Sequence, residues 1–179
     1  MDMLPPLIHM EAINRDLLNR CLVDWQHKMG EWNRPIFREW LTGLFHNGNP
    51  VAVLAASVLI SKTCGGMVRE DAFELGRVCA ARPGINRAAV RLWREFVFPD
   101  ICRSGGYKAV ISYQDATLHS GDLYRFDGWK HIGTSRSGTD KRSGRKGRSK
   151  VIWAYGDLSS LDPAEVVSDV GLLLDQELA

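Results

Sequence analysis

Nothing in this chain is spaced to hold a metal ion. Its four cysteines, Cys21, Cys64, Cys79 and Cys102, stand singly with no C-x-x-C, and its five histidines form no pair at helical spacing. Structural and catalytic zinc sites need such spaced ligands, so no metal is expected. Reduced thiols, mostly buried, are the expected state of the cysteines. No apolar run approaches the length of a membrane span, and the N-terminus lacks a basic region followed by an apolar core. A cytoplasmic protein with no membrane partner is therefore expected. Internal repeats are also lacking.

Net charge is small, at +2, yet the sum hides a segregation. Between Ser135 and Lys150 stand Arg136, Lys141, Arg142, Arg145, Lys146, Arg148 and Lys150 against Asp140 alone, a local +6 that leaves −4 for the rest. The tail after Asp157 carries five acids and no base. Such asymmetry bears on partners rather than on fold. Seven cations on a Ser/Gly-rich loop suit contact with phosphates, although a solvated hairpin loop explains them equally well. The run has no aromatic residue, which removes base stacking from it and leaves Trp32 and Trp129 as the better stacking candidates, although core positions suit both equally.

What is present is a core. At 179 residues, 45% apolar and 25% charged, with six Trp and six Phe, the chain suits one soluble globular domain over residues 1–179. Leu7-Ile8-His9-Met10 suggests a first strand. Asn14 can cap a helix through His27, with Leu18, Cys21, Leu22, Trp25 and Met29 on one face. Lys28 to Pro35 is expected to be a loop overhanging a pocket. The apolar runs Trp40–Phe45 and Val51–Ile60 flank an Asn47-Gly48 pair, a strong hairpin signal. Ser61 to Asp71 is expected to be a second loop. Past the central stretch, Lys130–Gly133 and Val151–Tyr155 predict strands joined by the basic loop at 135–150. Asp162-Pro163-Ala164-Glu165 starts a C-terminal helix at 163–178, whose Val/Leu face would pack on the sheet or on a second subunit and so leaves a homodimer open.

The stretch from Phe73 to Trp129 organises the rest. Phe73–Cys79 predicts a strand in which a bulge at Gly76 would bring Glu74 and Arg77 to one side, the alternative being a surface salt bridge or simple exposure of the two. The turn Arg82-Pro83-Gly84-Ile85-Asn86-Arg87 follows. Asn86 is expected to cap a helix with Ala89, Leu92, Trp93, Phe96 and Val97 on its apolar face, ended or kinked by Pro99. A strand over Lys108–Asp115 and a helical turn over Gly121–Phe126 complete the stretch, so a parallel crossover is the default connection. Backbone amides that open a helix attract phosphates, and two arginines flank this turn. Ser112 and Gln114 point to one side of their strand, Tyr113 and Asp115 to the other. Polar residues ending such a strand lie where α/β sheets place ligands, although Asp115 equally suits a strand-end cap.

This order resembles the acyl-CoA-binding half of the GNAT acyltransferases. The strings Glu-Leu-x-Arg-Val-Cys at 74–79 and Ser-Tyr-x-Asp-x-x-x-His-x-Gly-x-x-Tyr-Arg at 112–125 resemble the phage Mom adenine-modification family within that superfamily. The resemblance implies an α/β (α+β) fold with a mixed, mostly antiparallel sheet, a splayed parallel strand pair and flanking helices. It implies acetyl-CoA or another acyl-CoA as cofactor, held by Arg82, Gly84, Ile85, Asn86, Arg87 and Ala88. The loop departs from the family pattern, since Arg82 comes one residue late, Asn86 replaces a small residue and Pro83 removes an amide donor. Arg77, Ser112, Asp115 and Tyr124 are the matched site positions, with Tyr124 as the acid toward the departing thiolate. A phenol suits that role, although a packing tyrosine is the competing reading. Glu74 is a candidate base for the attacking amine, with His119 its rival; Arg77 would hold an anion or Glu74 itself.

Three functions follow as expectations. The first is acyl-CoA-dependent N-acyl transfer or the related Mom-type chemistry on adenine in DNA. The second is a GNAT N-acetyltransferase acting on a small amine or a protein amino group. The third is a nucleic-acid-binding protein that has kept the fold without catalysis.

Overall fold

A computed structural model describes residues 7–34, 38–135 and 150–161. The basic residues from Arg136 to Arg148 and the helix expected at 163–178 lie outside these described residues. Two compact units divide the chain: Met1–Val58 with Leu75–Gly106, and Leu59–Glu74 with Tyr107–Ala179. The larger strands are β1 (Ile8–Ala12), β2 (Glu39–His46), β3 (Asn49–Val58), β6 (Ala72–Ala80), β7 (Ala109–Gln114), β8 (Lys130–Ser135) and β9 (Lys150–Gly156). They hydrogen-bond in the order β1-β2-β3-β6-β7-β9-β8. The sheet is mostly antiparallel, with β6–β7 its parallel pair. This is the mixed, mostly antiparallel α/β sheet that the family resemblance implied.

In the first unit, α1 (Arg15–Asp24) begins at Asn14, whose side chain accepts from the Leu17 amide. The helix is shorter than its apolar spacing suggests. Gln26 takes a left-handed backbone (φ 54°), the chain leaves the helix there, and Met29 is exposed rather than on the buried face. Leu18, Cys21 and Leu22 do pack inward, against Val53 of β3, Cys79 of β6 and Trp32. Trp32 is therefore core, not a stacking platform over a pocket. Its indole Nε1 donates to Glu39 at 2.7 Å and its amide donates to Asn19 Oδ1 at 2.7 Å. The hairpin β2–β3 turns on Asn47 (φ 50°) and Gly48 (φ 74°), as Asn-Gly requires of a tight two-residue turn.

After β6 comes α2 (Ile85–Phe96), then α3 (Phe98–Gly105) with Pro99 in its first turn. Pro99 ends one helix and opens the next, because it lacks the amide that a continuing helix needs. Phe98 takes the buried place beside Trp93, ring centroids 6.3 Å apart. Phe96 is left exposed, contrary to its place on the expected apolar face.

In the second unit, residues 61–71 are not an open loop. They form a small hairpin, β4 (Thr63–Cys64) and β5 (Met67–Val68), turning on Gly65 and Gly66, both at positive φ. Two-residue strands are too short to show periodicity, which hides them in the sequence. Strand β7 pairs with β9 and β9 with β8, all antiparallel, over a core built on Met67, Ile111, Ile132 and Ile152. The single-turn helix α4 (Asp122–Arg125) stands between β7 and β8.

Candidate active site

The pairing of β7, β9 and β8 aligns Ser112 with Trp153 and Trp153 with His131. Cross-strand partners share a face of the sheet, so these three side chains form a row. Tyr124 of α4 joins it. Its hydroxyl lies 2.9 Å from Ser112 Oγ, its ring stacks on Trp153 (centroids 5.7 Å, interplanar 15°), and Trp129 meets it edge-on. Only 7% of Tyr124 is exposed. Burial pushes its phenol upward and the Ser112 bond partly opposes this, so Tyr124 keeps its proton at neutral pH. That is a requirement for donating it. Trp129, like Trp32, is core and offers no exposed face for stacking.

Asp115 lies just beyond the end of β7. Its Oδ1 accepts from the amide and the hydroxyl of Thr117, which closes the turn after the strand. This is the strand-end cap that its residue type equally suited. His119 is exposed, and its carbonyl accepts from Gln114 Nε2 at 2.7 Å. The other end of Gln114 accepts from Trp153 Nε1 at 2.7 Å. No motif pointed to Gln114. The available signal was its place two residues beyond Ser112 on the same face of the strand.

On the far face of β7, the Tyr113 hydroxyl lies 2.9 Å from Cys64 Sγ. Burial raises the Cys64 thiol, the Tyr113 bond opposes this, and the negative charge of Glu74 adds to the rise. Glu74 sits on β6 within the same unit and is 4% exposed. Lys150, the last residue of the basic run, opens β9 with Nζ 5.9 Å from the centre of the Tyr113 ring.

In the other unit, Arg77 is buried on β6, donating to the Gly76 carbonyl at 2.8 Å, with its guanidinium 5.3 Å from the centre of the Trp32 ring. Arg77 and Glu74 are both buried. The sequence reading missed the group beneath: Glu39 accepts a two-pronged bond from Arg15 (3.1 and 2.7 Å) as well as the Trp32 indole.

The turn before α2 is exposed from Ala81 to Gly84. Gly84, not Asn86, caps the helix: it is left-handed (φ 87°) and supplies no side-chain bond. No side-chain cap at Gly84 therefore competes for the amides of the first turn. A Cβ placed on Gly84 would meet nothing within 4 Å. A ligand can thus approach this backbone without obstruction, as an anion held by amides must. Arg82 and Arg87 are exposed on either side.

The chain is similar in structure to a crystallised aminoglycoside 6'-acetyltransferase type Ii, with TM-score 0.58 at 12% identity over 83% of this chain and 96% of that one. It is likewise similar to the ribosomal-protein-S18-alanine N-acetyltransferase of Escherichia coli, with TM-score 0.56 at 16% identity over 83% and 93%. A Bacillus subtilis acetyltransferase solved in complex with CoA gives TM-score 0.52 at 12% identity over 84% and 98%. The fold is the GNAT acetyltransferase fold. No family model and no curated protein sequence matches the chain. The parallel β6–β7 pair is part of the structural match.

Proposed function

We propose that this chain is an acyl-CoA-dependent N-acyltransferase acting on the primary amine of a small molecule or of a protein. The observation that carries the reading is the uncapped, exposed start of α2 after Gly84, on a GNAT fold. Helix amides with no competing side chain suit a diphosphate, and Arg82 and Arg87 add charge-assisted contacts. Acetyl-CoA, when bound, supplies the acetyl group as a thioester and leaves as the thiol. The amine nitrogen forms the new bond to the carbonyl carbon as the carbon–sulfur bond breaks. Tyr124 donates its phenolic proton to the departing sulfur, and the buried Glu74 carboxylate takes the proton that the amine sheds, directly or through water. Ser112 orients the Tyr124 hydroxyl. The aminoglycoside and ribosomal-protein activities of the similar structures motivate the amine acceptor.

Ligand-dependent melting tests the cofactor. Acetyl-CoA at 100 times its Kd should stabilise the fold by about 2.7 kcal/mol. No shift at millimolar acetyl-CoA would contradict the reading.

A second reading is favoured by the local +6 between Ser135 and Lys150. On it, the acceptor is adenine in DNA, as the resemblance to the Mom family implies, or the chain binds nucleic acid without catalysis. Roughly five phosphate contacts would give a log–log salt slope near −4 to −5 on duplex DNA. Replacing Lys141, Arg142, Arg145 and Lys146 by Ala should then abolish most DNA affinity and leave acetyl-CoA binding intact. An absence of DNA affinity at low salt removes this reading.

A further inference from the structure

We propose that Gln114 is the positioning residue for the Tyr124 hydroxyl; the kinetic consequence rests on the acyltransfer reading above, whereas the geometry does not. Gln114 ends β7 with only 6% of its surface exposed. Its amide orientation has one solution. The Trp153 indole can only donate and the His119 carbonyl can only accept, so Oε1 faces the first and Nε2 the second.

Each bond fixes a different constraint on Tyr124. Through Trp153, the amide holds the indole plane on which the Tyr124 ring stacks. Through His119, it ties down the segment that leads into α4, where Gly121 accepts from the amides of Tyr124 and Arg125 at 2.9 and 3.0 Å. Helix α4 is only four residues long, too short to hold its own shape. The closure over Gln114 is tight. A Cβ on Gly121 would lie 2.6 Å from Gln114 Oε1, and Gly121 is left-handed at φ 84°. Ring plane and backbone thus both depend on one amide, while Ser112 holds the hydroxyl.

Gln114→Leu removes both bonds at nearly constant volume. Gln114→Glu gives a finer test. An ionised Glu can accept from Trp153 but presents an acceptor to the His119 carbonyl, whereas a protonated Glu restores both bonds. In the full chain, two readouts are taken: the phenol titration of Tyr124 by ultraviolet difference, with Tyr124→Phe as reference, and kcat and KM for acetyl-CoA against pH. Gln114→Leu should lower kcat on the order of 10²-fold, the size of an ångström misplacement, with KM for acetyl-CoA unchanged. Its Tyr124 should titrate nearer the ordinary phenol value of about 10 as water enters. Gln114→Glu should behave like Leu at high pH and recover kcat as pH falls and the carboxyl is protonated, a rescue that loss of packing would not give. Wild-type kcat in Gln114→Leu, or no acid rescue in Gln114→Glu, overturns the proposal. If Gln114→Leu does not fold, the acid rescue decides. If the wild-type protein transfers no acetyl group, the acyltransfer reading falls and the titration decides: a displaced Tyr124 titration supports positioning, and an unmoved one overturns it.

Discussion

At the scale of the residue, Tyr124 combines burial, a polar partner and aromatic walls. A phenol raised by burial stays protonated until well above neutrality, and its donation to a thiolate depends on the position of its oxygen. Tyr124→Phe should lower turnover by roughly 10²-fold with the melting temperature nearly unchanged, because only the Ser112 bond is lost. Full turnover in that variant would remove Tyr124 from the mechanism. The same burial has a consequence for stability. The Tyr124 phenol is raised in the folded chain, and burial and the nearby Cys21 push the Cys79 thiol up to about 11. In both cases the unfolded state loses its proton first as pH rises. Stability should therefore be fully present below about pH 8.5, the ordinary thiol value, and fall through pH 9 to 11. Cys79→Ala should flatten the lower part of that decline, measured by denaturant midpoints across the range. An undiminished slope would place its origin elsewhere.

At the scale of the element, two glycines separate backbone strain from steric contact. Gly84→Ala meets open space, so its cost is the left-handed backbone alone, about 1–2 kcal/mol. Gly121→Ala adds the collision with Gln114 and should cost about 2–5 kcal/mol. Equal costs by chemical denaturation would mean that the closure over Gln114 is looser than described. The elements also show what could be read from the sequence. Asn14, the Asn47-Gly48 pair and Pro99 act through their own neighbours in the chain, so their cap, hairpin and helix break were legible. The Gly65-Gly66 hairpin was not, because its flanking strands are too short to show alternation. The cap of α2 was assigned to Asn86 by residue type, whereas a left-handed Gly84 begins the helix two residues earlier. Trp32 read as a loop aromatic because its partners, Asn19 and Glu39, lie on other elements. For the same reason Tyr124 and Ser112 were separately legible as candidates, whereas the Gln114–Trp153 bond spans 39 residues and leaves no local trace.

At the scale of the whole molecule, a chain with net charge of only +2 carries seven of its 23 basic residues in one stretch. The amides of α2 belong to one unit; Glu74, Ser112 and Tyr124 belong to the other. Acyl transfer makes two products in equal amounts. The most direct measurement is to incubate the full chain with acetyl-CoA and a panel of aminoglycosides, polyamines and amino-terminal peptides, following free thiol and acceptor mass together. One acceptor class should gain a single acetyl group for each thiol released, and Tyr124→Phe should slow both equally. Thiol release that never exceeds the rate without amine, across the panel and at saturating acetyl-CoA, would contradict N-acyl transfer to an amine.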